Sequence, residues 1–151
     1  MLRDRLNDAL KDAMRAKDPA TVSAMRLILA ALKDKDIAAR TRGDGSPLKD
    51  DEILSMLQSM VKQRRESVAL YQQGGRDDLV QKEEAEIAVI ERFLPQQMDE
   101  AAMTAAIKGL IAEAGAASVK DMGKVMALLK ARFAGQMDPA KASGLIKSLL
   151  S

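Results

Sequence analysis

Apolar residues recur three and four positions apart along almost the whole chain, a spacing that makes helices and disfavours strands. Leu2, Leu6, Ala9, Leu10 and Ala13 form one such stripe, and Val22, Met25, Leu29 and Leu32 form the next. The residue alphabet agrees. Tyr71, Phe93 and Phe133 are the whole aromatic complement, so burial must rest on Leu, Ile, Val, Met and Ala. Those residues, with abundant Lys, Glu and Gln, favour helix over sheet. The fold class expected is all-α.

Start and stop signals divide the helical pattern into elements. Asp18 followed by Pro19 reads as a side-chain cap with proline in the first turn. The helix it opens should run to about Arg40. Thr41 to Pro47 (TRGDGSP) is the clearest break in the chain. A third helix is expected from about Lys49 to Gln73, stopped by Gly74-Gly75, and a fourth from about Asp77 to Phe93, closed by Leu94-Pro95. So short a link implies that these two form an antiparallel hairpin. Beyond Pro95 the elements shorten, to about Glu100–Ala114, Val119–Phe133 and Pro139–Leu150. Asp99, Ser118 with Asp121, and Asp138-Pro139 supply the caps. The organisation expected is an N-terminal bundle of four helices over residues 1–95, followed by a three-helix subdomain over 96–151.

The chain holds no cysteine and no histidine. Disulfides, thiolate nucleophiles and Cys-based zinc sites are thereby excluded, as is the usual general base near neutral pH. No phosphate-cradling glycine motif and no nucleophile elbow occurs, so no cofactor, metal or catalytic set is expected. Glu83, Glu84 and Glu86 could ligate a metal only against Lys82 and apolar neighbours. Met1 to Lys17 is charged every few residues, unlike a signal peptide, and no apolar run reaches membrane-spanning length. A cytoplasmic setting without membrane contact is the expectation. Charge is balanced over residues 1–95, but past Glu113 Lys120, Lys124, Lys130, Arg132, Lys141 and Lys147 face only Asp121 and Asp138. This mildly basic tail permits an anionic partner without demanding one.

A few residues break the pattern. Arg64 falls inside the apolar stripe of the third helix (Ile53, Leu57, Met60, Val61, Val68, Tyr71). Glu83 and Glu86 fall inside that of the fourth (Leu79, Ile87, Ile90, Phe93, Leu94). Arg64 stands eleven residues before Gly75 and Glu86 eleven after, so the two face each other across the hairpin. An unpartnered buried charge is too costly to keep, which predicts pairing of Arg64 with Glu86, Glu83 or both. Such a cluster could fix helix register, open onto a polar pocket, or leave Arg64 snorkelling to water. Nearby, Lys62 and Arg65 project to one flank of the run K-Q-R-R. They read as a solvated face or as a phosphate contact, with no aromatic neighbour to stack on bases. Gly123, inside the segment S-V-K-D-M-G-K-V-M, costs about 1 kcal/mol relative to alanine in a helix. It shares a face with Lys120, Lys124 and Ala127. The structural reading, placed first, is close approach of a neighbouring helix to Gly123; the functional one is close approach of an RNA backbone. The ten methionines read as gap-fillers in a core poor in aromatics.

K-Q-R-R-E-S (Lys62 to Ser67), E-E-A-E-I-A-V-I-E-R-F-L-P (Glu83 to Pro95), S-V-K-D-M-G-K-V-M and the closing helix together resemble the YqeY-like family. That family is related to the helical C-terminal region of the GatB component of the glutamine-dependent aspartyl/glutamyl-tRNA amidotransferase. The resemblance covers nearly the whole chain; Lys49, where helix three would ordinarily take a Ser, Thr or Asp cap, is a minor departure. It implies a helical bundle followed by a three-helix subdomain, and a link to tRNA. It also carries the family's association with carbon–nitrogen ligation using glutamine as amido donor, although the catalytic portion of that assembly has no counterpart here.

The function expected is a non-catalytic module that binds tRNA or a tRNA-handling enzyme, with Lys120, Lys124 and Lys130 on phosphates and Gly123 allowing close approach. The alternative is a protein–protein adaptor with no RNA contact. The sequence does not decide the oligomeric state.

Overall fold

The computed structural model describes residues 1–41 and 45–151; part of the expected break between Thr41 and Pro47 lies outside them. Among the described residues there are seven α-helices and no strand. The chain divides into two compact units, Met1–Leu94 and Pro95–Ser151.

The first unit contains α1 (Leu2–Arg15), α2 (Pro19–Ala39), α3 (Asp50–Gln73) and α4 (Asp77–Glu91). Their stripes meet in one core centred on Leu6, Met25, Ile28, Ile53, Leu57 and Ile90, all fully buried. Burying an aliphatic side chain of this size contributes about 1.5–3 kcal/mol, so the core needs no large aromatic centre. Phe93 joins it at one edge, where the Arg5 guanidinium lies 5.6 Å above its ring. The helix ends follow local chemistry. The Asp18 carboxylate accepts from the Thr21 backbone N–H and hydroxyl, at 3.2 and 2.6 Å. At the start of α3, Lys49 has no acceptor to offer; its own N–H donates to the Glu52 carboxylate at 3.3 Å, which is half of a capping box.

α1 and α3 end in the same way with different residues. At the end of α3, Gly75 takes a left-handed φ of +68°, and the Arg76 N–H returns to the Tyr71 carbonyl at 2.9 Å. At the end of α1 this position is held by Lys17, at φ +54°, and the Asp18 N–H returns to the Ala13 carbonyl at 3.1 Å. Both are the six-to-one closures of a Schellman turn. Lys17 is the one non-glycine residue with positive φ among the described residues.

The second unit contains α5 (Glu100–Ala114), a 3₁₀ turn (Val119–Asp121), α6 (Met122–Arg132) and α7 (Pro139–Leu150). Met103, Ile107, Leu110, Val125, Leu129 and Ile146 form its own core. Asp99 caps α5 through the Ala102 N–H at 2.7 Å, and Asp138 caps α7 through the Ala140 N–H at 3.1 Å. The expected helix from Val119 differs. Its first turn is 3₁₀, because the Asp121 carboxylate reaches back to the N–H groups of Ala117 and Ser118, at 2.9 and 3.4 Å, and tightens the turn. No single helix among the described residues is long and apolar enough to cross a membrane.

Candidate functional site

Two groups of charged residues stand out, one inside the α3–α4 hairpin and one on the outer face of α6. Equal spacing from the Gly74-Gly75 turn sets Arg64 opposite Glu86. The Arg64 Nε–H donates to Glu86 Oε2 at 3.0 Å, and its Nη1 donates to the Met60 carbonyl at 3.2 Å. The two side chains are only 16 % and 14 % exposed, so the guanidinium is held within the hairpin instead of reaching into water. Glu83 is half-buried one turn away, and no ion pair joins it to Arg64. The described recess on this hairpin, about 430 Å³, is lined by other side chains, among them Arg65, Gln72, Glu84 and Glu91. Arg65 Nη2 bridges it to Glu91 Oε1 at 2.6 Å. Arg65 is thus already engaged by a carboxylate, and Lys62, although exposed, also has an interaction of its own. The K-Q-R-R run is therefore not a set of free cations.

The α6 face is the opposite case. Val125 and Leu129 turn inward to the core, which leaves Gly123 on the far side of the helix. A Cβ at Gly123 would meet no atom within 4 Å. No neighbouring helix of its unit comes within contact distance of that position, which overturns the expected close approach. Lys120, Lys124 and Lys130 are exposed, as are Ala127 and Ala131, and none of the three lysines forms an ion pair among the described residues. Asp121 is the acidic group beside them. Its carboxyl is held below the usual carboxylate range, first by the Ala117 N–H, then by the Ser118 N–H, with a smaller contribution from the Lys124 charge. It is occupied by backbone donors. The same unit has one charge pair between helices, in which Arg132 of α6 grips Glu113 of α5 with two guanidinium N–H groups. That contact keeps the Glu113 carboxyl low.

One polar constellation had no signal in the sequence. Arg3 forks onto Asp36 at 2.6 and 3.0 Å and donates to the Leu48 carbonyl at 3.2 Å, while the Leu48 N–H donates to Asp36 at 3.1 Å. It ties α1, α2 and the approach to α3 together. The Arg3 hydrogen bond is the main reason the Asp36 carboxyl lies below its ordinary value. Among the described residues no group of three acidic side chains is placed to hold a metal ion.

What the geometry leaves is a helical scaffold with internal arginine clamps and an outward lysine face, and a comparison of the whole chain decides its kinship. The family model described as Yqey-like protein matches residues 3–150. The chain belongs to this family. Its curated relatives include proteins named altered inheritance of mitochondria protein 41, mitochondrial. The one from Eremothecium gossypii is 38 % identical over 89 residues, 59 % of this chain and 46 % of that protein. The one from Saccharomyces cerevisiae strain S288c is 34 % identical over 91 residues, 60 % and 47 % respectively. In Lachancea thermotolerans the match extends to 110 residues at 32 % identity, 72 % of this chain and 57 % of that protein. The chain spans about half the length of these relatives.

Proposed function

We propose that this YqeY-like chain is a non-catalytic binding module, a four-helix bundle carrying a three-helix subdomain that contacts the backbone of tRNA through the outer face of α6. The observation that carries the reading is the open Gly123 flanked by unpaired Lys120 and Lys124. A bare glycine lets a phosphodiester backbone come close to the helix, and ammonium groups on both sides then lie within reach of phosphates. Lys130 extends the same charged face one to two turns on. Lys62 and Arg65, which already have intramolecular contacts, contribute little to this surface. The cytoplasmic setting belongs to this proposal; the relatives named above carry a mitochondrial designation of their own.

Binding of this kind is electrostatic, so it must weaken with salt. Titrating the chain with unfractionated tRNA at several salt concentrations checks it. The double variant Lys120→Glu/Lys124→Glu is expected to weaken binding at least about tenfold and to lower the slope of log affinity against log salt by about 2. Binding that ignores both salt and the double variant would remove the RNA reading. A partner protein retained from RNase-treated extract would then favour the adaptor reading.

A further inference from the structure

The corner where α1 meets α2 carries a surface unconnected with RNA chemistry. An open recess of about 720 Å³ lies there, floored by Met14, Val22 and Leu27 and edged by Lys17 and Arg26. Met14 and Leu27 are 52 % and 45 % exposed. They are large apolar side chains turned into the same recess instead of into the core. The cations on its edge are free. Neither Lys17 nor Arg26 forms an ion pair among the described residues, whereas Arg3, Arg64 and Arg65 of the same unit each grip a carboxylate. Asp18, the acidic residue at the edge, is occupied in capping α2 through Thr21.

Lys17 adds a further point. It closes α1 in the left-handed conformation that Gly75 supplies at the end of α3. A non-glycine residue is disfavoured there, because its Cβ crowds the following carbonyl oxygen. Side chains kept in unfavourable backbone conformations gather at functional sites, and this one puts an ammonium group at the edge of an apolar recess.

We propose that this corner docks an acidic amphipathic helix of a partner protein. Its apolar side chains would seat between Met14, Val22 and Leu27, and its flanking carboxylates would meet Lys17 and Arg26. A groove between two helices receives a third by its apolar face, and opposite charge on the rim sets orientation and partner choice. Nucleic acid fits this surface poorly, because a phosphodiester backbone gains nothing from an apolar floor of Met14, Val22 and Leu27. The proposal is independent of the α6 face.

The test pans the full chain against a displayed library of random 16-residue peptides, then synthesises the most enriched peptide and titrates it. The expected winners carry apolar residues at helical spacing interleaved with Asp or Glu. The winning peptide should bind at least about tenfold more weakly to Lys17→Glu/Arg26→Glu and to Leu27→Ser. All three positions are exposed, so both variants should keep the helical circular dichroism of the parent. Failure to enrich any peptide, enrichment of basic or uncharged sequences, or unchanged affinity in both variants would overturn the proposal. So would tRNA binding that falls in Lys17→Glu/Arg26→Glu while peptide binding holds.

Discussion

The two units use their cations in opposite ways. In Met1–Leu94, arginines clamp one segment to another: Arg3 on Asp36, Arg64 on Glu86, Arg65 on Glu91. In Pro95–Ser151 one arginine does this, Arg132 on Glu113, while Lys120, Lys124 and Lys130 stand unpaired on an outer face. The residue chemistry accounts for the division. A guanidinium has a rigid fork of donors and is weakly hydrated, which suits it to half-buried pairs. An ammonium is a strongly hydrated point charge on a flexible stem, which suits it to mobile phosphates. The formal balance of charge along the sequence therefore hides a contrast: three arginines of the first unit are turned on its own carboxylates, while three lysines of the second share an open outer face.

The most severe way to break this contrast is to remove an internal clamp. Arg64→Met leaves the Glu86 carboxylate facing the hairpin interior without its partner. Because both side chains are mostly buried, the expected loss is about 3 kcal/mol of unfolding free energy. Glu86→Leu should cost less, since the long Arg64 stem can carry its head back to water. The double variant Arg64→Met/Glu86→Leu should recover most of the loss, because an apolar pair replaces a costly buried ion pair. Urea midpoints of the three variants read the pattern. Three equal midpoints, matching the parent, would mean the hairpin does not depend on the clamp.

The Arg3–Asp36 fork is expected to rank second, and it has a pH signature. The Asp36 carboxyl is held below its ordinary value chiefly by the Arg3 hydrogen bond. Its contribution is present above the unfolded value of about 3.9 and is lost as pH falls through the lower folded value. Stability should therefore drop on acidification below about pH 5. Asp36→Asn should cost about 1–2 kcal/mol near neutral pH, because the amide weakens charge-assisted bonds without emptying the site, and it should flatten part of the acid slope. Thermal melts from pH 7 to pH 3 compare the two. An unchanged slope in the variant would show that other carboxylates govern acid unfolding.

These two clamps differ sharply in how legible they were. Arg64 and Glu86 interrupt apolar stripes at equal distances from a glycine turn, so their meeting followed from helix geometry alone. Arg3 and Asp36 lie at the margins of their stripes, where a charged residue is the ordinary occupant, and their contact depends on how α1 crosses α2. Local periodicity contains no information about that crossing. Lys17 was hidden for a related reason: the expected residue in a left-handed helix cap is glycine, so a lysine gives no signal. For Gly123, the wheel put its lysine neighbours on the correct face, but what covers a face is decided by the other helices. The helices themselves were readable nearly to the residue because caps and prolines mark their ends locally. The exception was the first turn at Val119, where Asp121 makes backbone contacts that tighten it.

The smallest expected effect bears most directly on the outward face. Gly123 lies in the second helical position of α6, with a negative φ and empty space where a Cβ would go. Gly123→Ala therefore removes unfolded-state freedom without a clash and should stabilise the chain by about 0.5–1 kcal/mol, read as a rise in melting temperature. A glycine kept only by chance would show that gain and nothing else. If the open backbone is there for a phosphodiester chain to approach, the same methyl group should weaken tRNA binding while the fold becomes more stable. Opposite signs in the two measurements separate a surface shaped for contact from one merely left bare, because no loss of folding can explain weaker binding by a more stable protein. A rise in melting temperature with tRNA affinity unchanged would leave the lysines as a charged face and take close approach at Gly123 out of the account.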